Sequence, residues 1–177
     1  ILSAEFIDTT TFHLPFNTLL KNTLSFSSSF GASYKLNQQS LLNFSFYTGF
    51  RNPNLDDVGK VFSKNDILVV VPNNNLLPEK TINFETEFYS KKKDSHSFSI
   101  TCFYTVIKDV ILRDFSQLNG LDSMLYDGEM MRIQMNQNSE KAIIYGGNLN
   151  LDFFISKNLS FKLLCDYKRG FDYKKNP

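Results

Sequence analysis

The feature that most constrains this chain is a period of two that keeps returning. Over residues 23–36, Leu24, Phe26, Phe30, Ala32, Tyr34 and Leu36 fall on one side of an extended backbone, and Ser, Thr, Gly and Lys fall on the other. The same alternation sets Leu42, Phe44, Phe46, Thr48 and Phe50 against Asn43, Ser45, Tyr47, Gly49 and Arg51. It then sets Ile82, Phe84, Thr86 and Phe88 against Asn83, Glu85, Glu87 and Tyr89. A fourth run over residues 97–113 carries Phe98, Ile100, Cys102, Tyr104 and Val106 on one side. A fifth carries Ile143, Tyr145, Leu149, Leu151 and Phe153, and a sixth Leu159, Phe161, Leu163, Cys165 and Tyr167. Such a chain is all-β, with one apolar and one polar face on each strand.

The connections alternate in length. Short polar turns are expected at 37–40, at Lys91, Lys92, Lys93 and Asp94, and at 156–159, while 52–79 and 114–138 are long. Within the first long connection, residues 55–62 can form a turn of helix and 67–72 a short apolar patch, with Pro53 and Pro78 stopping the ladder at its roots. Loops of this length are either functional or disordered. Short turns on one side and long loops on the other are the arrangement of an outer-membrane barrel. The fourth run exceeds the usual strand length of about 5–6 residues, as a tilted wall strand does. The 18 Phe and 8 Tyr, with no Trp, suit a lipid-facing wall with aromatic girdles. The longest apolar run, 67–71, is far short of the roughly 20 residues of a membrane helix, so any passage through lipid is by closed barrel. A soluble β-sandwich would alternate in the same way. The polar face over residues 23–50 weighs against it, being Ser, Asn, Gly and Tyr rather than mixed charge.

The net charge of +1 gives no argument for a nucleic-acid partner. His13 and His96 stand alone, without Cys or carboxylates at metal-ligand spacing, and read as surface histidines with no metal. No nucleophile elbow, phosphate loop or zinc-protease helix motif occurs, and neither a cofactor nor an enzymatic activity is expected. Glu85 and Glu87 share one strand face, where pairing with Lys or Arg in a wet lumen explains them more simply than an acid pair. Cys102 and Cys165 read as small apolar free thiols.

Two stretches carry a resemblance: GFRNPNLDDVG at 49–59 and NNNLLPE at 73–79. They resemble the blocks GFR-x-PN-x-x-D-x-G and N-P-x-L-x-P-E that flank an extracellular loop in TonB-dependent outer-membrane receptors. Gly49, Phe50, Arg51, Pro53, Asn54, Asp57 and Gly59 match the first, and Asn73, Leu77, Pro78 and Glu79 match most of the second. Gly128, Asn138, Ala142, Ile144, Tyr145 and Gly146 look like a third family block that enters the strand after the next loop. The similar region covers about residues 23–171.

The resemblance implies antiparallel up-and-down strands forming part of a large transmembrane β-barrel of about 22 strands. Six strands cannot enclose such a lumen, so residues 1–177 are expected to be a segment, with the plug domain and remaining strands elsewhere. Loops 52–79 and 114–138 would be extracellular and the wall would sit among outer-membrane lipids, in the bacterial outer membrane. The implied function is uptake of a scarce small molecule, a metal chelate such as a ferric siderophore, or cobalamin, driven by the TonB complex through the plug. Haem receptors of the family carry a histidine between the two blocks; residues 54–72 have none, which argues against haem.

The expected ligand contacts are Arg51, Asn54, Asn73, Asn74 and Tyr126. Phe50, Pro53, Asp57, Gly59, Leu77, Pro78 and Glu79 are expected to shape the loop. Two roles stand open for Arg51: a guanidinium fork for an anionic chelate, or a salt bridge to Asp57 or Glu79. The alternative to a transporter is a secreted or cell-surface β-sandwich that binds glycan or protein.

Overall fold

The computed structural model describes residues 2–5, 18–65, 67–92, 96–156 and 158–173. His13, Lys93 and Asp94 lie outside the described residues. The strands are β1 (Leu2–Glu5), β2 (Thr18–Lys21), β3 (Ser29–Lys35), β4 (Ser40–Arg51), β5 (Phe62–Asn65), β6 (Leu68–Val71), β7 (Glu79–Lys92), β8 (His96–Phe115), β9 (Ser123–Tyr126), β10 (Glu129–Ser156) and β11 (Leu159–Tyr173). One short helix, α1 (Leu55–Val58), follows β4. The chain forms two units, and β4, β7, β8 and β10 contribute residues to both.

The first unit, residues 26–49, 80–108 and 141–177, is a wall. Its strand order is β3-β4-β7-β8-β10, with β11 also on β10. Register follows the alternation. Phe30 faces Phe46 and Tyr34 faces Leu42; Phe84 faces Tyr104 and Phe88 faces Ile100; Leu151 faces Leu163 and Phe153 faces Phe161. Every apolar run therefore lands beside its neighbour's apolar run on one face. That face is uncovered: Phe30 is 68% exposed, Phe84 52% and Phe161 54%. No second sheet packs on it among the described residues, which removes the sandwich.

The opposite face is knitted by polar side chains. Ser33 Oγ donates to Asn43 Oδ1 at 2.7 Å, and Asn43 Nδ2 donates to Glu87 Oε2 at 2.8 Å. Asn150 Nδ2 donates to Ser99 Oγ at 3.1 Å, and Ser97 Oγ to Asp152 Oδ2 at 3.1 Å. Glu87 is thus held by an asparagine, where a Lys or Arg partner was expected. His96 stacks on Phe153 with ring centroids 5.1 Å apart, and Cys102 and Cys165 are exposed free thiols. Residues 23–28, expected to be extended with 29–36, precede β3 without regular structure.

The second unit, residues 1–25, 50–79 and 109–140, holds the long connections. β1 and β2 form a separate two-stranded sheet. The apolar patch at 67–72 becomes β6, which pairs in parallel with β10, Val69 beside Ile133 and Val71 beside Met135. This departs from the purely up-and-down antiparallel order. The run Leu68-Val69-Val70-Val71 is β-branched and continuously apolar, as strands buried on both faces are, and all three valines are buried. Val69, Val71, Leu118, Met131 and Ile133 form the core.

The second long connection differs more from expectation. Residues 114–138 are mostly strand, because β8 runs to Phe115 and β10 already starts at Glu129. Asn119-Gly120 and Asp127-Gly128 each place two successive residues at positive φ. They reverse the chain between Leu118 and Leu121 and between Tyr126 and Glu129. Two tight turns therefore replace one open loop.

Candidate functional site

The sequence places Arg51 at the end of β4, Asp57 in α1 and Glu79 at the start of β7, and the fold of the second unit brings the three together. Arg51 Nη1 donates to Asp57 Oδ2 at 2.7 Å and Nε donates to Glu79 Oε2 at 2.6 Å. The planar guanidinium holds two N–H donors in fixed directions, one for each carboxylate. The carboxylates are 16% and 14% exposed, while the Arg51 side chain is 46% exposed. Of the two roles open for Arg51, the ion pair is thus present, and with both carboxylates at once. One guanidinium closes both roots of the 52–79 connection.

Each carboxylate has a second duty. Asp57 Oδ2 also accepts from the Asn54 N–H at 3.0 Å, and Asn54 Oδ1 accepts from the Asp57 N–H at 2.9 Å. This reciprocal capping box is why a helix of four residues holds its place after Pro53. Glu79 Oε1 accepts from the Ile111 N–H at 2.7 Å, carrying the clamp onto β8. Gly59 closes the turn where a Cβ would meet the Leu55 side chain at 2.7 Å and its carbonyl oxygen at 3.0 Å.

Asparagines on β10 hold the loop from behind. Buried Asn136 donates from Nδ2 to the Asp57 carbonyl at 3.0 Å, and its own carbonyl accepts from Asn73 Nδ2 at 2.8 Å. Asn138 accepts from the Leu77 N–H at 2.7 Å and donates to the Leu77 carbonyl at 3.0 Å and to the Asp109 carbonyl at 2.6 Å. Asp109 adopts a positive φ of 55° there. Arg113 Nε reaches Asn136 Oδ1 at 3.4 Å, and its guanidinium lies 5.2 Å from the Phe62 ring centre.

Of the expected ligand contacts, Arg51 and Asn54 therefore share one cluster, and Asn73 joins it through Asn136. Asn74 is half-buried in the turn that follows. Tyr126 belongs to another grouping, packed on the Val69 and Ile133 core. Of the loop-shaping residues, Pro53 is buried, Pro78 half-buried, and Phe50 and Leu77 are exposed. Asn136 was missed in the sequence, and Asn138 was read only as part of a strand-entry block. An asparagine inside a strand pattern, where β propensity disfavours it, was the available signal. Among the described residues no group of three His, Cys, Asp or Glu could hold a metal ion, and no helix is long and apolar enough to cross a membrane.

The sequence pattern of the family described as TonB dependent receptor-like, beta-barrel matches residues 5–176. The chain belongs to the TonB-dependent receptor β-barrel family. Among solved structures it is similar to a ferric enterobactin receptor mutant, PfeA of Pseudomonas aeruginosa, in complex with enterobactin, at 19% identity and a TM-score of 0.65 over 80% of this chain and 22% of that one. It is also similar to the siderophore receptor PirA of Acinetobacter baumannii, at 20% identity and a TM-score of 0.64 over 86% of this chain and 23% of that one. The FrpB iron transporter of Neisseria meningitidis gives 14% identity and a TM-score of 0.58 over 84% of this chain and 20% of that one. The chain thus spans about a fifth of the length of these structures, and the likeness is one of fold. No protein of curated function matches the sequence. Membership of the family brings the large antiparallel barrel with it, of which this TonB-dependent receptor chain is a part.

Proposed function

We propose that this chain is a wall segment of an outer-membrane receptor that imports a scarce small molecule, a ferric siderophore in preference to cobalamin. The barrel supplies a shaped, water-filled wall and no bond chemistry. Energy comes from the TonB complex, acting on a plug domain outside residues 1–177. Connections 52–79 and 114–138 are extracellular. The observation that carries this reading is the division of the wall into an exposed aromatic face and a hydrogen-bonded polar face, as a membrane barrel requires. The siderophore receptors among its structural relatives support the ligand class.

In this reading Arg51, Asn54, Asn73, Asn74 and Tyr126 contact ligand, and Phe50, Pro53, Asp57, Gly59, Leu77, Pro78 and Glu79 shape the loop. Arg51 is the pivotal residue because its exposed guanidinium edge can meet an anionic chelate while two of its nitrogens hold Asp57 and Glu79. The test is Arg51→Ala in the full-length receptor, with ferric siderophore uptake and surface assembly measured separately. Assembly is expected to fall modestly and uptake per assembled receptor to fall at least tenfold. Unchanged uptake per assembled receptor would remove Arg51 from the ligand contacts and leave it a loop clamp.

A further inference from the structure

We propose that a polar cup at the short-turn end of the wall holds the carboxylate-bearing glycan peptide of the bacterial cell wall, from the periplasmic side. The proposal rests on the outer-membrane reading above, which sets the 52–79 connection outside the cell and this end inside it.

The cup lies over β3, β4 and β7. Lys35 on β3 is opposite Leu41 on β4. Two bonds fix β4 against β7: the Lys91 N–H donates to the Gln39 carbonyl at 2.8 Å, and Asn43 Nδ2 donates to Glu87 Oε2 at 2.8 Å. That antiparallel register sets Leu41 beside Tyr89, with Lys91 one row nearer the turn. Lys35, Leu41, Tyr89 and Lys91 therefore share the polar face with Ser33, Asn43 and Glu87. With Gln38 and Gln39 of the turn they line a cavity of about 930 Å3. That volume falls in the roughly 300–1,000 Å3 range of small-molecule sites.

The lining selects the occupant. Lys35 and Lys91 are exposed, and neither is in an ion pair among the described residues. Glu87, one row further from the turn than Tyr89, is held by Asn43. Two ammonium groups on strands about 10 Å apart across the sheet suit two carboxylates of one ligand. The exposed carboxamides of Gln38 and Gln39 each offer donors and an acceptor, the set that the hydroxyl and acetamido groups of a glycan require. The half-buried Tyr89 adds a ring with a polar tip. A polypeptide would dock by adding a strand or by laying an apolar helix in a groove. The cup offers neither. β4 has β3 on one side and β7 on the other. The backbone of the turn is occupied within itself: the Leu36 and Asn37 N–H groups donate to the Ser40 carbonyl, and the Gln39 N–H donates to Asn37 Oδ1.

The experiment uses the full-length receptor in detergent, with a purified N-acetylated disaccharide tetrapeptide as probe and titration calorimetry as readout. The wild type is expected to bind one equivalent. Affinity should fall about tenfold or more in Lys35→Gln/Lys91→Gln, which removes two charge-assisted bonds, and about threefold in Gln38→Ala/Gln39→Ala. Added salt should weaken binding to the wild type. No binding by the wild type, unchanged affinity in the double lysine variant, equal binding of the uncharged disaccharide, or tighter binding of a polyglutamate peptide would overturn the proposal. Gln38→Cys in a Cys102→Ala/Cys165→Ala receptor tests the reading beneath it. A maleimide too large to cross the outer membrane should label that cysteine only in lysed cells. Labelling in intact cells would overturn the outer-membrane orientation, whereas a shielded rim that ignores the probe would overturn only the cell-wall site.

Discussion

At Asn138 one carboxamide replaces a strand partner, accepting from the Leu77 N–H and donating to its carbonyl while also bonding the Asp109 carbonyl. Replacing it with Ala leaves these backbone groups without that partner, at a cost of about 1–3 kcal/mol for the set. Exchange of the Leu77 amide hydrogen should accelerate about tenfold or more in Asn138→Ala, since about 1.4 kcal/mol is a factor of ten; unchanged protection would contradict the bond's role. At Arg51 the predicted outcome is asymmetric. Glu79→Gln keeps an acceptor for the Ile111 N–H and should lower the midpoint of thermal unfolding less than Glu79→Ala does. Equal losses would mean that only the charge of Glu79 matters. Parity in the sequence put Arg51 on the polar face, but period-two reasoning carries no information about reach, so it left open whether the guanidinium met Asp57, Glu79 or a ligand.

Among the elements, β6 and the two tight turns show where period-two reasoning stops. The wall strands were legible because each alternates against a single solvent boundary. β6 alternates against nothing, being buried on both faces, and its short apolar run is equally compatible with a patch or a strand. The Gly and Asp content of 114–138 reads as a loop, yet Asn-Gly and Asp-Gly are the strongest short hairpin signals available. Gly146 makes the matching prediction for β10. A Cβ there would collide with the Tyr167 carbonyl oxygen and come within 2.9 Å of Lys168 Cα and 2.8 Å of the Phe103 ring. Backbone cannot yield as a flexible side chain can, so Gly146→Val should break the β10–β11 ladder and reduce the assembled, heat-modifiable fraction severalfold. Wild-type assembly of that variant would show that the two strands are not held at this spacing.

For the whole molecule, composition and alternation specified a sheet with unlike faces, and family blocks around 49–79 specified the kind of barrel. The number of strands that complete it is not written in these residues, because closure depends on partners at both edges. What decides the fold is which face meets hydrocarbon. Charges facing lipid cost about 2–4 kcal/mol at the bilayer centre and little at its edges, which agrees with Phe84 in mid-strand and with Lys80 at a strand end. The most direct measurement is spin-label accessibility in the full-length receptor in a bilayer, after Cys102 and Cys165 are changed to Ala, with single labels at 84, 104 and 161 against 85 and 87. The labels at 84, 104 and 161 should be reached by oxygen and shielded from a water-soluble nickel chelate, and those at 85 and 87 should show the reverse. Equal accessibility of the two sets, or nickel reaching 84 and 161, would contradict the barrel wall.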